Sequence, residues 1–463
     1  MSSMHRRGPQ KRLLQVAATL VTVLTAAGCD TLLEVDLPGS IAASTLEDPA
    51  LANLMERSVI TAYECALSEY MGATAMFGSE IIVASNNSSR DHQHNRIPSN
   101  VENWGATGSC SEQSRTTFSP GGAVYQAMAL GRDVTAQFEA FTDAQVIGRV
   151  RKLAVTSIYE GYAITLLGEG YCGAVLEPFG ASLTRKQTLQ KAEEWFTKGL
   201  QFATTANDAT LKNLAYLGRA RVRLNLSTLG EAAKRAEAAA DAKMIPSGFR
   251  VDATRAAGIR QNRTYQETWI TRDISINPQF YNMTVRIADG RLTQNDAAGV
   301  GVADPRVVVK DQGFKGVDGV TPSWFPVNKV NTVGAPIRMA SWQEAQLIIA
   351  EAELGQSALD RINALRALSN LPLYQPANVN DANAMLDAVI MERKRELWLE
   401  GRWINDMIRF KDRTSQLYPT EFQTLWMEGM THQNITTYRP QYCLPLLTRE
   451  VENNPNATLM ESL

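Results

Sequence analysis

Histidine is scarce in this chain: four in 463 residues, His5, His92, His94 and His432. His5 sits in an N-terminal leader, so a histidine-based catalytic site would have to draw on the other three. Asp91-His92-x-His94 has the donors to hold a metal in a loop, but no fourth ligand is evident, and no metal is expected. Cysteine is sparse as well, five in all, and none forms a C-x-x-C pair, which removes the usual redox and zinc motifs. There is no G-x-S-x-G elbow, no H-E-x-x-H, no Walker phosphate loop and no G-x-G-x-x-G opening a helix. No basic block is present either, and a formal charge of −2 makes nucleic acid a poor partner. A loop-based hydrolase working through two carboxylates is the one enzymatic reading that composition leaves open, because 48 acidic residues supply many pairs. With no motif to place such a pair, the chain is read as non-enzymatic and without a cofactor.

Long apolar runs are missing too, apart from the N-terminus. Arg6, Arg7, Lys11 and Arg12 precede an apolar stretch, Leu13–Thr25, which is followed by Ala26-Ala27-Gly28-Cys29. A basic segment, a short apolar run and small residues make a secretory signal. The run falls short of the roughly 20 residues that a membrane-spanning helix needs. The A-A-G-C end resembles a bacterial lipobox, which makes residues 1–28 a signal peptide and Cys29 the expected lipidated residue; a plain secretory signal with an ordinary Cys29 thiol is the alternative. Removing residues 1–28 takes away four basic side chains and no acidic ones, so the formal charge falls from −2 to −6. Cys65, Cys110, Cys172 and Cys443 remain, and in an oxidising compartment they allow two disulfides in three pairings. Cys65 with Cys110, the two nearest in sequence, is the preferred choice.

Residues 29–463 read as one mainly α-helical domain, a tetratricopeptide-like repeat body with large irregular loop regions and few short strands. Residues 30–47 form a tether, broken by Pro38-Gly39, and Asp48-Pro49 reads as the start of a helix. Residues 48–245 are helical, with the predicted helices at 124–141, 146–167, 189–204, 211–226 and 231–242. Small residues recur where such helices would cross, among them Gly131, Gly161, Gly199 and Gly218. The run around Leu217-Gly218, followed by an alanine-rich segment, resembles a tetratricopeptide unit, whose helix pairs bury their apolar faces by stacking. A loop insert at 84–119 interrupts this part; it is rich in Asn, Ser and Gly and holds Asp91, Asn103 and Trp104. Residues 246–337 form a second irregular part with many Pro, Gly and Asn. It concentrates aromatics, Tyr265, Trp269, Phe280, Tyr281, Trp324 and Phe325, and a few small strands are expected near Val307-Val308-Val309.

Residues 338–463 return to helix. The stretch 337–356 and the segment to Leu373 read as a helical hairpin that buries Leu347, Ile348 and Ala352. Met391–Phe410 then reads as one helix on which two apolar rows, Ile390, Leu397, Ile404, Ile408 and Leu399, Trp403, Met407, flank a dense charged run from Glu392 to Glu396. Within that run, Glu392 with Arg395 and Arg393 with Glu396 are within reach of each other as local ion pairs.

Three of these strings carry a resemblance. E-R-K-R-E-L-x-L-E-G-R-W-x-N-D-x-x-R at 392–409 is similar to the late helix of the SusD/RagB family, with one residue fewer between Gly401 and Arg402 and Asn405 before Asp406. Arg338, Ala345, Leu347, Ala350-Glu351-Ala352, Ile362-Asn363, Arg366 and Leu371 occupy places comparable to the family's preceding hairpin. Tyr442-Cys443-Leu444-Pro445-Leu446, with Glu450 and Asn453-Asn454-Pro455, resembles its closing segment. The resemblance implies an outer-membrane lipoprotein, exposed at the surface, that captures nutrients and passes them to a SusC-like TonB-dependent transporter. It further implies a glycan ligand, with a peptide as the other option. A helical-repeat envelope scaffold that binds other proteins is the competing reading.

Sugars are gripped by aromatic faces together with planar polar side chains. Both irregular regions offer that mixture. Asp91, Asn103 and Trp104 in the first and Tyr281, Arg286 and Trp324 in the second are the candidate ligand-binding residues.

Overall fold

A computed structural model of the chain describes residues 47–86, 96, 118, 120–258, 260–423, 426, 438–446, 448–458 and 460. The fold is mainly α, with short strands of which the first three are β1 (Ile81–Val83), β2 (Gly173–Ala174) and β3 (Leu183–Thr184). After a 3-10 turn at Pro49–Leu51, six helices follow: α1 (Ala52–Phe77), α2 (Pro120–Ala140), α3 (Arg149–Gly170), α4 (Arg185–Thr205), α5 (Ala209–Thr228) and α6 (Lys234–Ala242). Each packs on the next along the chain, the stacking that such helix pairs require. Caps set the starts: Thr184 and Gln187 form a reciprocal capping box on α4, and the Asp208 carboxylate accepts from the Leu211 N–H on α5.

The small residues mark the crossings, as their spacing suggested. Phe196 is wedged between α3 and α5, where a Cβ at Gly161 would lie 3.0 Å and one at Gly218 only 2.2 Å from its ring. The Tyr162 ring meets the same phenylalanine edge-on at 4.8 Å.

The C-terminal helices complete the stack: α7 (Trp342–Glu353), α8 (Gly355–Leu368), α9 (Ala382–Glu396) and α10 (Trp403–Arg409), with α7 packed on α5, α6 and α9. The expected hairpin starts five residues late. Ile337–Ser341 is a strand, β11, paired with β4 (Arg250–Ala253), and the Ser341 hydroxyl caps α7 by accepting from the Glu344 N–H. Leu347 and Ile348 are buried, while Ala352 is only half-buried.

A larger correction concerns 391–410, which is not one helix. α9 stops at Glu396, and the chain turns with Leu399 at φ 53° and Gly401 at φ 71° before α10 begins. A left-handed leucine is costly by about 1–2 kcal/mol, and its N–H is taken by the buried Glu80 carboxylate at 3.0 Å. The charged run is buried throughout, and its members pair with distant partners instead of with each other. Glu392 holds Arg306 at 2.6 Å and Arg366 at 3.0 Å, Arg393 holds Asp406, Arg395 holds Asp304 at 3.1 Å, and Glu396 holds Arg338 at 3.3 Å. Burial leaves each charge only such partners, because an unpaired charge in the core is far more costly than a long-range pair.

Cys172 and Cys443 are joined by a disulfide, the pair left over by a Cys65–Cys110 bridge. Cys65 is also disulfide-bonded, and Cys110 lies outside the described residues. The Cys172–Cys443 bond, with hydrogen bonds between Cys172 and Leu444 and between Leu444 and Gly170, lays the closing segment along the end of α3. Among the described residues no helix is long and apolar enough to cross a membrane.

Candidate ligand-binding site

The second irregular region is built from short antiparallel strands: β5 (Ile274–Ile276), β6 (Met283–Arg286), β7 (Leu292–Gln294), β8 (Gly301–Ala303), β9 (Val309–Lys315) and β10 (Pro322–Pro326). β9 and β10 form a hairpin with a register shift between Pro322 and Trp324, so that Trp324 faces Asp311 and Phe325 faces Lys310. Prolines at both ends of β10 suit an edge strand, which has no further ladder to donate to.

Consecutive strand residues point to opposite faces, and here both are aromatic. On one face the Trp324 ring stacks on Tyr281, with centroids 4.0 Å apart and planes 17° from parallel. On the other, Phe325 meets Trp269 at 4.1 Å. Trp269 belongs to a single π-helical turn, Gln266–Ile270, a departure from regular helix that recurs at functional sites, and it stays 40% exposed. Phe314, 62% exposed on β9, lies under the Arg272 guanidinium at 5.6 Å.

The Tyr281–Trp324 stack is held from behind. The Trp324 N–H donates to the Ser275 hydroxyl at 2.9 Å, and that hydroxyl donates to the Pro322 carbonyl at 2.7 Å. Asn277 caps the turn Pro278–Phe280 by accepting from the Gln279 N–H, and the Tyr281 hydroxyl donates to the Ile276 carbonyl at 2.9 Å. Burial pushes the Tyr281 phenol up to about 12, so it stays a neutral donor. The charged helix reaches this segment: Lys394 donates to Gln279 at 2.8 Å with its ammonium over the Phe280 ring, and Arg395 donates to the Thr284 and Thr293 carbonyls. The buried ion lattice thereby fixes the backbone on both sides of Tyr281.

Of the candidate residues, Tyr281 and Trp324 are brought together, and both are half-buried. Arg286 is not part of the stack. It lies at the far end of β6, which the left-handed Asn282 separates from Tyr281, with its guanidinium forked onto Asp289 through Nε, at 2.7 Å, and Nη2. That bond holds the Asp289 carboxyl below its ordinary range and braces the turn at Gly290. Asp91, Asn103, Trp104 and Cys29 lie outside the described residues, as do all four histidines. Trp269, Phe314 and Arg272 were not singled out from sequence; a tryptophan next to an exposed isoleucine in a polar run, Gln266-Glu267-Thr268-Trp269-Ile270, was the available signal.

Two larger hollows lie on the helical body and contain no aromatic residue. One, of about 520 Å³, is floored by alanines of α6; the other, of about 740 Å³, lies beside Asp381, Asp387 and Arg413. Among the described residues no three His, Cys, Asp or Glu side chains gather to hold a metal.

The model of the SusD family matches residues 337–459. Solved SusD structures extend the likeness in fold to the rest of the molecule. A SusD homolog from Bacteroides thetaiotaomicron superposes with a TM-score of 0.63 at 13% identity, covering 91% of this chain and 99% of that one. A SusD superfamily protein from Parabacteroides distasonis gives 0.58 at 13% identity, over 90% and 99%. The surface glycan-binding protein A from Bacteroides uniformis gives 0.53 at 14% identity, over 88% and 99%. No curated protein matches the chain. The matched segment carries most of the ion lattice, whereas Asp304, Arg306 and the aromatic hairpin lie upstream of it.

Proposed function

We propose that this chain is a SusD-like, non-catalytic capture protein that binds glycans through the Tyr281–Trp324 stack. The stack carries the reading: Trp324 on the hairpin, with Tyr281 stacked nearly parallel against it, offers an aromatic face matched to the C–H face of a sugar, with Asp311 opposite Trp324 and the exposed Trp269 on the reverse face. The neighbour from Bacteroides uniformis is described as a surface glycan-binding protein, and one from Bacteroides vulgatus as a SusD-like carbohydrate-binding protein. Cys29 would carry the lipid that tethers the chain to the outer membrane, and a SusC-like TonB-dependent transporter would receive the ligand. Asp91, Asn103 and Trp104 stand as further candidate contacts.

Calorimetry of the purified chain against oligosaccharides and oligopeptides tests this reading. Saturable binding of a glycan without turnover, weakened about tenfold in Trp324→Ala, is the expected outcome. A panel that gives no binding, or one in which Trp324→Ala binds as well as the parent chain, removes the stack as the site. Failure to co-purify with a SusC-like transporter would remove the transport role separately.

A further inference from the structure

A pocket of about 190 Å³ opens where β4, β11 and the Leu399–Glu400 turn meet the chain leaving β10. Arg250, Lys329 and Arg338 line it together with a single carboxylate, Glu400, and the amides Asn328 and Asn331. Asp252 and Glu396, which balance the remaining cations, do not line it. The lining is therefore cationic by three charges to one.

Its donors are also underused. Lys329 is anchored by the Glu396 carbonyl and by the Glu400 carboxylate at 2.8 Å. Arg338 meets Glu396 and Glu400 through Nη1 alone, at 3.3 and 3.4 Å, and its Nε–H is buried with no acceptor. Arg250 touches Asp252 only through Nε, at 2.8 Å, and its side chain is 49% exposed. Two guanidinium edges are thus left without protein acceptors. A buried N–H with no acceptor is costly by about 1–3 kcal/mol, and a small turn of Arg338 toward the pocket would relieve it once an oxygen pair arrived.

We propose that this pocket is an oxyanion site that takes a carboxylate or sulfate group of a small molecule, such as the acidic substituent of a charged sugar. Arg250 and Arg338 supply planar forks that match two oxygens of one group, and Lys329 supplies fixed charge. The size decides the ligand class. Pockets for drug-sized ligands run from about 300 to 1,000 Å³, so this one suits one ionic group with its immediate ring rather than an oligosaccharide. The site shares no lining residue with the Tyr281–Trp324 stack.

The test is calorimetry at low ionic strength with sodium glucuronate, sodium sulfate and neutral glucose. Saturable binding of glucuronate or sulfate is expected, with glucose failing to compete and Trp324→Ala leaving the affinity unchanged. Arg250→Gln should weaken the bound anion about tenfold, and Arg338→Lys, which keeps the charge but removes the fork, should weaken it as well. Preference for glucuronate identifies a carboxylate site, and preference for sulfate a sulfate site. Absence of saturable binding by both anions, or equal affinity in parent and both variants, overturns the proposal.

Discussion

Arg393 and Asp406 face each other across the break between α9 and α10, joined by two parallel hydrogen bonds of 2.8 and 2.9 Å from Nε and Nη2 to the two carboxylate oxygens. Both are buried. Burial alone would raise the Asp406 carboxyl, but Arg393 and Arg409 more than offset it and hold the group below its ordinary range. The pair bridges the turn at Leu399 and Gly401, with Arg409 as a second partner of Asp406 and Glu351 as a second partner of Arg393.

Arg393→Met should therefore destabilise the protein by roughly 3 kcal/mol, since Asp406 keeps only Arg409. Arg393→Met with Asp406→Leu removes both charges and should recover part of that loss. Urea denaturation of the two single variants and the double variant measures the coupling. A double variant no better than the sum of the singles would show that the two residues act independently.

Glu80 gives a pH signature. Burial pushes its carboxyl up from 4.5 to about 7, while the Leu399 N–H and the lysines Lys329 and Lys394 draw it down and Glu400 adds to the rise. The folded protein therefore holds a proton at Glu80 that the unfolded chain has released between about pH 4.5 and 7, and this contribution to stability declines as pH rises through that window. Glu80→Gln removes the dependence. Relative to the parent, the variant should gain stability from pH 5 to 7.5, by at most roughly 3 kcal/mol. Melting both proteins across that range checks the sign, and a difference that stays flat with pH would place the Glu80 titration elsewhere.

The helical body was legible because its signals are local. Apolar periodicity and the small residues at crossings, such as Gly161 and Gly218 around Phe196, sit within single helices. The break at Leu399 was not, because the partner that accommodates its left-handed backbone is Glu80, 319 residues away. The strand at Ile337–Ser341 was missed for a similar reason, its partner β4 lying far upstream. In the site, Tyr281 and Trp324 were recognisable as aromatics in a loop-rich region, but their meeting depends on Ser275 and the irregular β10 register. Arg286 was chosen as a candidate contact without its local partner Asp289, three residues on, because a guanidinium suited to sugar hydroxyls is equally suited to bracing a turn.

The disulfide between Cys172 and Cys443 closes a loop of 271 positions and fastens the closing segment to the end of α3. Cys443→Ser should lower stability by roughly 2–5 kcal/mol. The loss should concentrate in the closing segment, so limited proteolysis should cut near residue 440 before it cuts the helical body. Simultaneous cleavage throughout would show that the bond supports the whole stack rather than this segment.

The Tyr281 hydroxyl and ring should separate in their effects. Tyr281→Phe keeps the surface stacked on Trp324 and loses the bond to the Ile276 carbonyl, a cost of about 1 kcal/mol in stability. If the ring surface is what a glycan covers, that variant should bind with nearly the parent's affinity. Tyr281→Ala removes the partner that holds Trp324 parallel, and should weaken binding about tenfold while the helical body melts unchanged. Calorimetry beside a far-ultraviolet melt distinguishes the two effects. Equal loss of binding in Tyr281→Phe and Tyr281→Ala would assign the interaction to the hydroxyl, and with it to polar recognition rather than to the aromatic surface.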